Sequence, residues 1–386
     1  MKTLPSREDI LRALVAWPSV SSSDVRFDQS NRAMVERLAE FAEAVGFTVR
    51  VMPVSADGQK LNLVARIGEG DGGLVLSGHT DTVPWDASAW STDPFALEAT
   101  DDGRLYGLGS ADMKGFFACA LHAARAFSAS SLKRPLTLLG TADEESSMDG
   151  ARALVSEGVV RASYAVIGEP TGLVPVRKHK GVAMQRLRVT GRSGHSSDPS
   201  LGRSALEGMH AVIGALLGYR DELAVAPRDD SFAVPVTTMN LGRIAGGDSP
   251  NRICGSCELD IDLRPLPGVS IRALREELSR RSVEAIAGRE LSLVVEELFD
   301  GVPAFETAAD ARLVQAAEEA TGSSAQAVMF GTEGPYLQQL GMETIILGPG
   351  DIRVAHQPNE FTTRSELERA TELYGDLIQR FCVDAD

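Results

Sequence analysis

Up to about Pro175, apolar positions along the chain alternate between two periods. After Ser6-Arg7-Glu8-Asp9, which has the form of a helix cap, Ile10, Leu11, Leu14 and Val15 recur at helical spacing. A second helix is predicted over residues 30–45, closing at Gly46, a residue that takes the left-handed conformation on which helices commonly end. Short apolar runs predict strands at residues 61–67, 74–76, 136–141 and 164–167, with a helix near 116–127 between them. Strands that are apolar throughout, separated by helices, imply an α/β layer around a largely buried sheet.

Between about Arg177 and Leu298 the pattern changes. A strand at residues 183–190 leads to a long helix at 203–223, with Leu206, Met209, Ile213 and Leu216 expected on one face. Strands at 236–244 and 253–263, a helix at 271–286 and a strand at 291–295 follow. That β-α-β-β-α-β order is the order of a ferredoxin-like α+β domain. Alternation resumes at 308–320, 325–329, 344–347 and 362–381. The expected organisation is therefore an α/β domain of residues 1–176 and 299–386, interrupted by an inserted domain of residues 177–298.

Composition narrows the function classes. A hydrophobic fraction of 43% and a charged fraction of 24% are ordinary for a globular chain. The net charge of −16 repels phosphate backbones and anionic membranes, so neither nucleic acid nor a membrane is expected as a partner. The opening MKTLPSREDILRALVAW lacks the uninterrupted apolar core of a secretory signal, and no apolar run is long enough for a membrane span. The four cysteines (Cys119, Cys254, Cys257 and Cys382) are too few for a disulfide scaffold, so a reducing cytoplasm is expected. Cys254 and Cys257 form a C-x-x-C in a predicted strand; residues three apart on a strand face opposite sides, so a structural role is expected rather than a metal site.

Candidate chemistry collects where the apolar strands end. The run at 74–76 leads into Ser77-Gly78-His79-Thr80-Asp81, the run at 136–141 into Ala142-Asp143-Glu144-Glu145, and the run at 164–167 into Gly168-Glu169-Pro170. Late in the chain, the run at 344–347 leads through Gly348-Pro349-Gly350 to His356, and Asp112 stands just ahead of a helix. Residues at the carboxyl ends of strands in an open α/β sheet point into one crevice. Each has a plainer reading alone: His79 as a structural histidine, Glu144-Glu145 as solvated loop charge, Asp112 as a helix cap, Glu169 as a turn residue. Two imidazoles and three carboxylates together suit a pair of zinc-like ions, with one further carboxylate left to move a proton.

The segments SGHTDTVP, GSADMKG, ADEES, GEPT, SGHSSDP and AHQPNEF, in that order, resemble those of the M20 family of metallopeptidases and deacylases over nearly the whole chain. The resemblance implies a zinc-peptidase-like α/β catalytic domain with an inserted ferredoxin-like dimerisation or lid domain, and a homodimer. It implies two divalent metal ions, zinc or else cobalt. His79 and Glu169 would bind one, Glu145 and His356 the other, and Asp112 would bridge them. Asp81 would orient His79, and Glu144 would be the general base and then acid. His195 would stabilise the oxyanion in the partner subunit's site. Arg264 would pair with a substrate carboxylate, and Asn251 would line the same side.

Within the family, VRKHKGVAMQRLRVTGRSGHSSDP, FGTEGPYLQQLG and ILGPGDIRVAHQPNEF are most similar to the acetylornithine deacetylase branch. That implies hydrolysis of an N-acyl amino acid, N-acetyl-L-ornithine, to L-ornithine and acetate in arginine biosynthesis. Glu333 would then pair with the ornithine ammonium, its plainer reading being a carboxylate near a helix N-terminus. Succinyl-diaminopimelate, other acyl amino acids and short peptides are the alternative substrates. From other classes, a metal-dependent binding protein and an interaction scaffold compete; neither needs a free base such as Glu144.

Overall fold

The computed structural model describes residues 4–225 and 227–384. The chain begins with α1 (Arg7–Val15), α2 (Arg32–Val45), β1 (Thr48–Pro53), β2 (Leu61–Ile67), β3 (Leu74–His79), β4 (Glu98–Ala99) and β5 (Arg104–Tyr106). It continues with α3 (Lys114–Ala124), β6 (Leu136–Thr141), α4 (Asp149–Glu157), β7 (Tyr164–Pro170), β8 (Val176–His179), β9 (Ala183–Thr190), α5 (Ala205–Leu223), β10 (Thr238–Gly246) and β11 (Ser256–Arg264). The remainder is α6 (Ile271–Ala285), β12 (Ser292–Glu297), β13 (Phe305–Glu306), α7 (Arg312–Thr321), β14 (Gln326–Val328), α8 (Gly334–Gln339), β15 (Glu343–Gly348), β16 (Phe361–Thr363) and α9 (Arg364–Ile378). These elements form two compact units: Met1–Arg177 with Thr307–Gln326 and Thr332–Asp386, and Lys178–Glu306 with Ala327–Gly331.

In the first unit the sheet runs β1-β2-β6-β3-β7-β15. Strands β6, β3, β7 and β15 are mutually parallel, and β2 joins β6 antiparallel. Every residue of β3 and β6 is buried, as expected for strands covered on both faces. Ile10, Leu14, Leu38, Phe116, Phe117, Leu367 and Tyr374 from the covering helices share one apolar cluster with Leu74, Leu76 and Leu138 of the sheet. A separate small sheet, β16-β5-β4, lies beyond it.

Local chemistry sets several boundaries. Ser6 accepts the Asp9 N–H and starts α1, and Gly46 closes α2 at φ 109°. Helix α2 starts at Arg32, later than its apolar pattern suggests, because the Asn31 side chain is committed elsewhere: it bonds Leu61 N–H, Leu61 C=O and Thr80 Oγ1. The expected helix at 362–381 splits into β16 and α9, since Thr363 and Glu366 form a reciprocal capping box. Strand β1 escapes the pattern because its residues are mostly exposed.

The second unit is an antiparallel sheet ordered β10-β11-β9-β12. Counted along the chain these strands lie 4-1-3-2, the ferredoxin-like arrangement, with α5 and α6 packed on one face. The opposite face is an ion-pair ladder: Arg186–Asp260 at 2.7 Å, Arg188–Glu258 at 2.8 Å and Arg188–Glu296 at 3.0 Å. Two expectations are corrected here. Leu206 is half exposed, and α5 buries Ala205, Met209, Val212, Leu216 and Tyr219 instead, the face that packs with Leu187, Leu259 and Ile261 of the sheet. Cys254 precedes β11 rather than lying in it, so the opposite-face argument fails; both thiols are nevertheless packed in one apolar cluster, and no candidate metal group among the described residues includes them.

Among the described residues, no helix is long and apolar enough to cross a membrane.

Candidate active site

Three parallel strands deliver their terminal residues to one edge of the first unit. His79 ends β3, the Asp143-Glu144-Glu145 turn follows β6, and Glu169 sits near the end of β7. His356 lies on the loop after β15, and Asp112 on the loop before α3. The structure brings the side chains of His79, Asp112, Glu144, Glu145, Glu169 and His356 together. Asp112 lies between the imidazoles, with Oδ1 2.9 Å from His79 Nε2 and Oδ2 3.3 Å from His356 Nε2. Glu169 is 3.8 Å from His79 Nε2, and Glu145 is 2.9 Å from His356 Nε2. Ligand atoms of His79, Glu144 and Glu169, and of His79, Asp112 and Glu145, all lie within 4.8 Å of one another in each group.

This convergence needs bare backbone beneath it. Phe116, in the first turn of α3, packs under β3 and β7, where a Cβ on Gly78 would stand 2.8 Å from the ring and one on Gly168 only 2.0 Å. Those glycines belong to the SGH and GEP segments because the ring occupies the space a side chain would fill.

The turn bearing Glu144 and Glu145 is held from two sides. Asp143 takes φ 57°, and its carbonyl accepts the N–H groups of Ser147 and Met148. Its carboxylate receives Lys60 Nζ at 2.7 Å and Ser21 Oγ at 3.0 Å. Opposite, the Asp81 carboxylate accepts the N–H of Glu144 at 3.3 Å and of Glu145 at 3.0 Å. Asp81 was expected to orient His79 through its carboxylate. The structure differs: His79 Nδ1 is 2.9 Å from the Asp81 main-chain oxygen and 3.8 Å from the carboxylate.

Electrostatics reflect crowded, buried acids. Burial, together with neighbouring carboxylates, pushes Glu144 and Glu169 well above the usual carboxylate range, and burial raises Asp81 to about 7. Burial disfavours the charged Asp112, but its bonds to His356 and His79 prevail and hold it low. Hydrogen bonds to Asp112 and Glu145 raise His356 to about 10; burial opposes the rise at His79, where Asp112 and Glu169 win. Such a cluster is stabilised by cations. A buried set of oxygens and imidazole nitrogens with surplus negative charge is the donor chemistry that divalent ions such as zinc accept. The residues present fit a metal centre.

Glu333 is enclosed beside the cluster, where its charge opposes that of Glu144 and is favoured by His79. It is 1% exposed, its Oε2 accepts Ser77 Oγ at 3.2 Å and its Oε1 has no hydrogen-bond partner among the described residues. His195, Asn251 and Arg264 belong to the second unit. His195 is exposed, with Nδ1 2.7 Å from Ser197 Oγ; its loop is tied to the Asn251 loop by Ser196 N–H to Asn251 C=O. Arg264 ends β11 and bonds Asp262 at 2.9 Å.

Residue patterns missed two supports. Lys60 is a buried cation with no local motif, bonded to Asp28 and Asp143. Glu360 is enclosed and accepts three main-chain N–H groups of the Asp112 loop. Its place in AHQPNEF, four positions after His356, was the available signal.

A mixed sheet of this topology with an acid-rich donor cluster at its carboxyl edge defines a hydrolase of the metal-dependent kind. Peptidase family M20/M25/M40 matches residues 75–380, and the chain belongs to that family. It is 46% identical over 385 residues to the acetylornithine deacetylase of Pasteurella multocida (strain Pm70), covering 99% of this chain and 100% of that protein. The acetylornithine deacetylase of Proteus mirabilis (strain HI4320) is 45% identical over 380 residues, 98% of each chain. The M20 family metallo-carboxypeptidase Sso-CP2 from Sulfolobus solfataricus shares the fold, with TM-score 0.78 over 98% of this chain and 99% of that one at 17% identity.

Proposed function

We propose that this chain is a dinuclear metal-dependent deacetylase that hydrolyses N-acetyl-L-ornithine to L-ornithine and acetate. The carrying observation is Asp112, whose two oxygens face two imidazoles, each with its own carboxylate partner. In this reading His79 and Glu169 hold one divalent ion, Glu145 and His356 the other, and Asp112 both. Zinc is the first candidate and cobalt the second. The substrate rests on likeness along the full chain to relatives named acetylornithine deacetylase.

When bound, the ion pair would acidify water and polarise the acyl carbonyl. Glu144, left over from the ligand sets, takes the proton of the attacking water and returns it to the departing amine. Its raised pKa, caused first by burial, suits a group that must both accept and give a proton. His195 is assigned the oxyanion donor and Arg264 the substrate carboxylate, with Asn251 beside them. Enclosure of Glu333 argues against a contact with the ornithine ammonium, and we assign it none.

The second unit is assigned dimerisation and lid movement, with His195 serving the partner subunit's centre. Strand β10 supports this: it is a sheet edge, largely exposed, and carries exposed Ile244. Four buried free thiols suit the reducing cytoplasm.

The decisive experiment is hydrolysis of a panel of N-acetyl-L-ornithine, succinyl-diaminopimelate, other N-acyl amino acids and dipeptides, before and after chelation. Cleavage of acetylornithine that disappears with chelator and returns with zinc or cobalt is the expected result. Preference for another substrate displaces the assignment within the family, and turnover that survives chelation removes the metal mechanism.

A further inference from the structure

Glu360 is 2% exposed and, among the described residues, no cation lies within ion-pair distance of it; its carboxyl group is turned to one loop. Its Oε1 accepts the N–H of Ala111 at 2.8 Å and of Asp112 at 3.0 Å, and its Oε2 accepts the N–H of Gly109 at 3.1 Å. Its main-chain oxygen accepts the Gly107 N–H at 3.0 Å. All three main-chain groups facing the carboxyl group are donors, so both of its oxygens act as acceptors; burial and the Asp112 charge push the group up to about 8, and the three N–H bonds pull the other way.

Register explains how Glu360 arrives there. In the small sheet Phe361 pairs with Tyr106, Thr362 with Leu105 and Thr363 with Arg104. Continuing that ladder one step sets Glu360 against the segment that follows Tyr106, which runs to Asp112. Because Glu360 is also four residues beyond His356, the same carboxylate joins the loop of one imidazole to the backbone of the acid between the two imidazoles.

We propose that Glu360 is a positioning residue for the metal centre: by gripping the main chain of Gly109, Ala111 and Asp112, it fixes where Asp112 presents its two oxygens relative to His356. The proposal rests on the dinuclear reading above. Glu360 belongs to neither candidate metal group, and it acts through Asp112. A glutamine there fails for a stated reason. Its one oxygen can serve Ala111 and Asp112 or else Gly109, and its NH2 then confronts a donor at the other position. Relaxing that clash moves the loop and with it the bridging oxygens.

The test is a chelator-competition titration of zinc into metal-free protein, wild type beside E360Q, without substrate. Wild type is expected to take two equivalents. E360Q is expected to keep its circular dichroism and to bind zinc about 10- to 100-fold more weakly, the usual effect of removing a group that orients a ligand. At saturating zinc its KM for acetylornithine is expected to match wild type. E360D, which keeps the carboxyl group but shortens its reach, is expected to weaken zinc binding in the same titration and decides the matter if E360Q does not fold. Two equivalents bound at wild-type affinity by the folded variant overturn this inference and leave the dinuclear reading standing. Failure of wild type itself to bind two equivalents overturns both.

Discussion

His79 and Asp81 meet through the main chain. The imidazole Nδ1 stands 2.9 Å from the Asp81 carbonyl oxygen, while the Asp81 carboxylate accepts the N–H groups of Glu144 and Glu145. A carbonyl can only accept, so Nδ1 carries the hydrogen and Nε2, facing Asp112, is left as the ligand atom. One residue thus sets the tautomer of a ligand with its backbone and shapes the acid turn with its side chain.

That division of labour predicts how Asp81→Asn behaves. The main-chain contact to His79 survives, so zinc affinity should change little. The carboxamide keeps one acceptor and turns a donor towards the other N–H, loosening the turn that holds Glu144. We expect kcat to fall about 10- to 100-fold, the range for disturbing a supporting partner, with zinc stoichiometry unchanged. Loss of zinc with normal turnover per bound ion would instead return the carboxylate to His79.

Glu144→Ala separates binding from chemistry. In the ligand assignment given above, this side chain is the one left for proton transfer, so the variant should retain both ions. Turnover should drop by several orders of magnitude, the upper part of the ~10²–10⁴ range for general acid–base groups or beyond it. Metal analysis and steady-state rates on the same sample check it; substantial residual activity would assign the proton transfer elsewhere.

Metal binding should release protons. In the metal-free protein, bonds to Asp112 and Glu145 raise His356 to about 10, and His79, despite burial, is held well above its usual value by Asp112 and Glu169. His356 therefore carries a proton at pH 7 that it must lose to bind an ion, and the raised His79 and Glu169 add to the release in the same direction. Titration calorimetry in two buffers of different ionisation enthalpy should show net proton release on zinc binding at pH 7. The same shifts predict a pH profile for stability without metal. A histidine with a raised folded pKa contributes fully below its unfolded value near 6.5 and loses that contribution as pH climbs through about 10. Asp81, raised to about 7 mainly by burial, works in the same direction from lower pH. The thermal midpoint of metal-free protein should fall between about pH 6.5 and 10, and a midpoint that rises there would contradict the sign.

What could be read from residues alone follows from what apolar patterning records. It records burial, so β3, β6 and β7 were legible, and with them the places where His79, Glu144, Glu145 and Glu169 emerge. It does not record which acceptor a buried N–H finds. The use of Asp81 for the Glu144–Glu145 turn and of Glu360 for the Asp112 loop therefore stayed hidden, although both residues sat in recognisable segments. Leu206 was misplaced because helical spacing fits several neighbouring faces of α5, and only packing against the sheet chooses one. The enclosure of Glu333 stayed hidden for a related reason. A charged residue between glycines looks like loop, and enclosure beside Ser77 is a tertiary fact.

The contact between Gly168 and Phe116 offers a last prediction, on stability. A methyl group on Gly168 would lie 2.0 Å from Phe116 Cδ2, and the ring cannot retreat, because it is wholly buried and packs edge-on against Phe117 and Tyr374. Gly168→Ala should therefore destabilise the metal-free protein by at least about 1–3 kcal/mol, the range for overpacking. Phe116→Ala removes every ring atom that collides, Cγ at 2.2 Å included, and leaves a cavity, so it too destabilises when made alone. Combined, the two changes answer one another: the added methyl fills space the ring has left. The double variant should be more stable than the sum of the singles predicts, by about 0.5–3 kcal/mol, the coupling found between residues in contact. Urea midpoints of the four proteins measure this directly. Strict additivity would mean that the strand and not the ring yields to the methyl group. The bare backbone of the GEP segment would then answer to something other than the helix that follows Asp112.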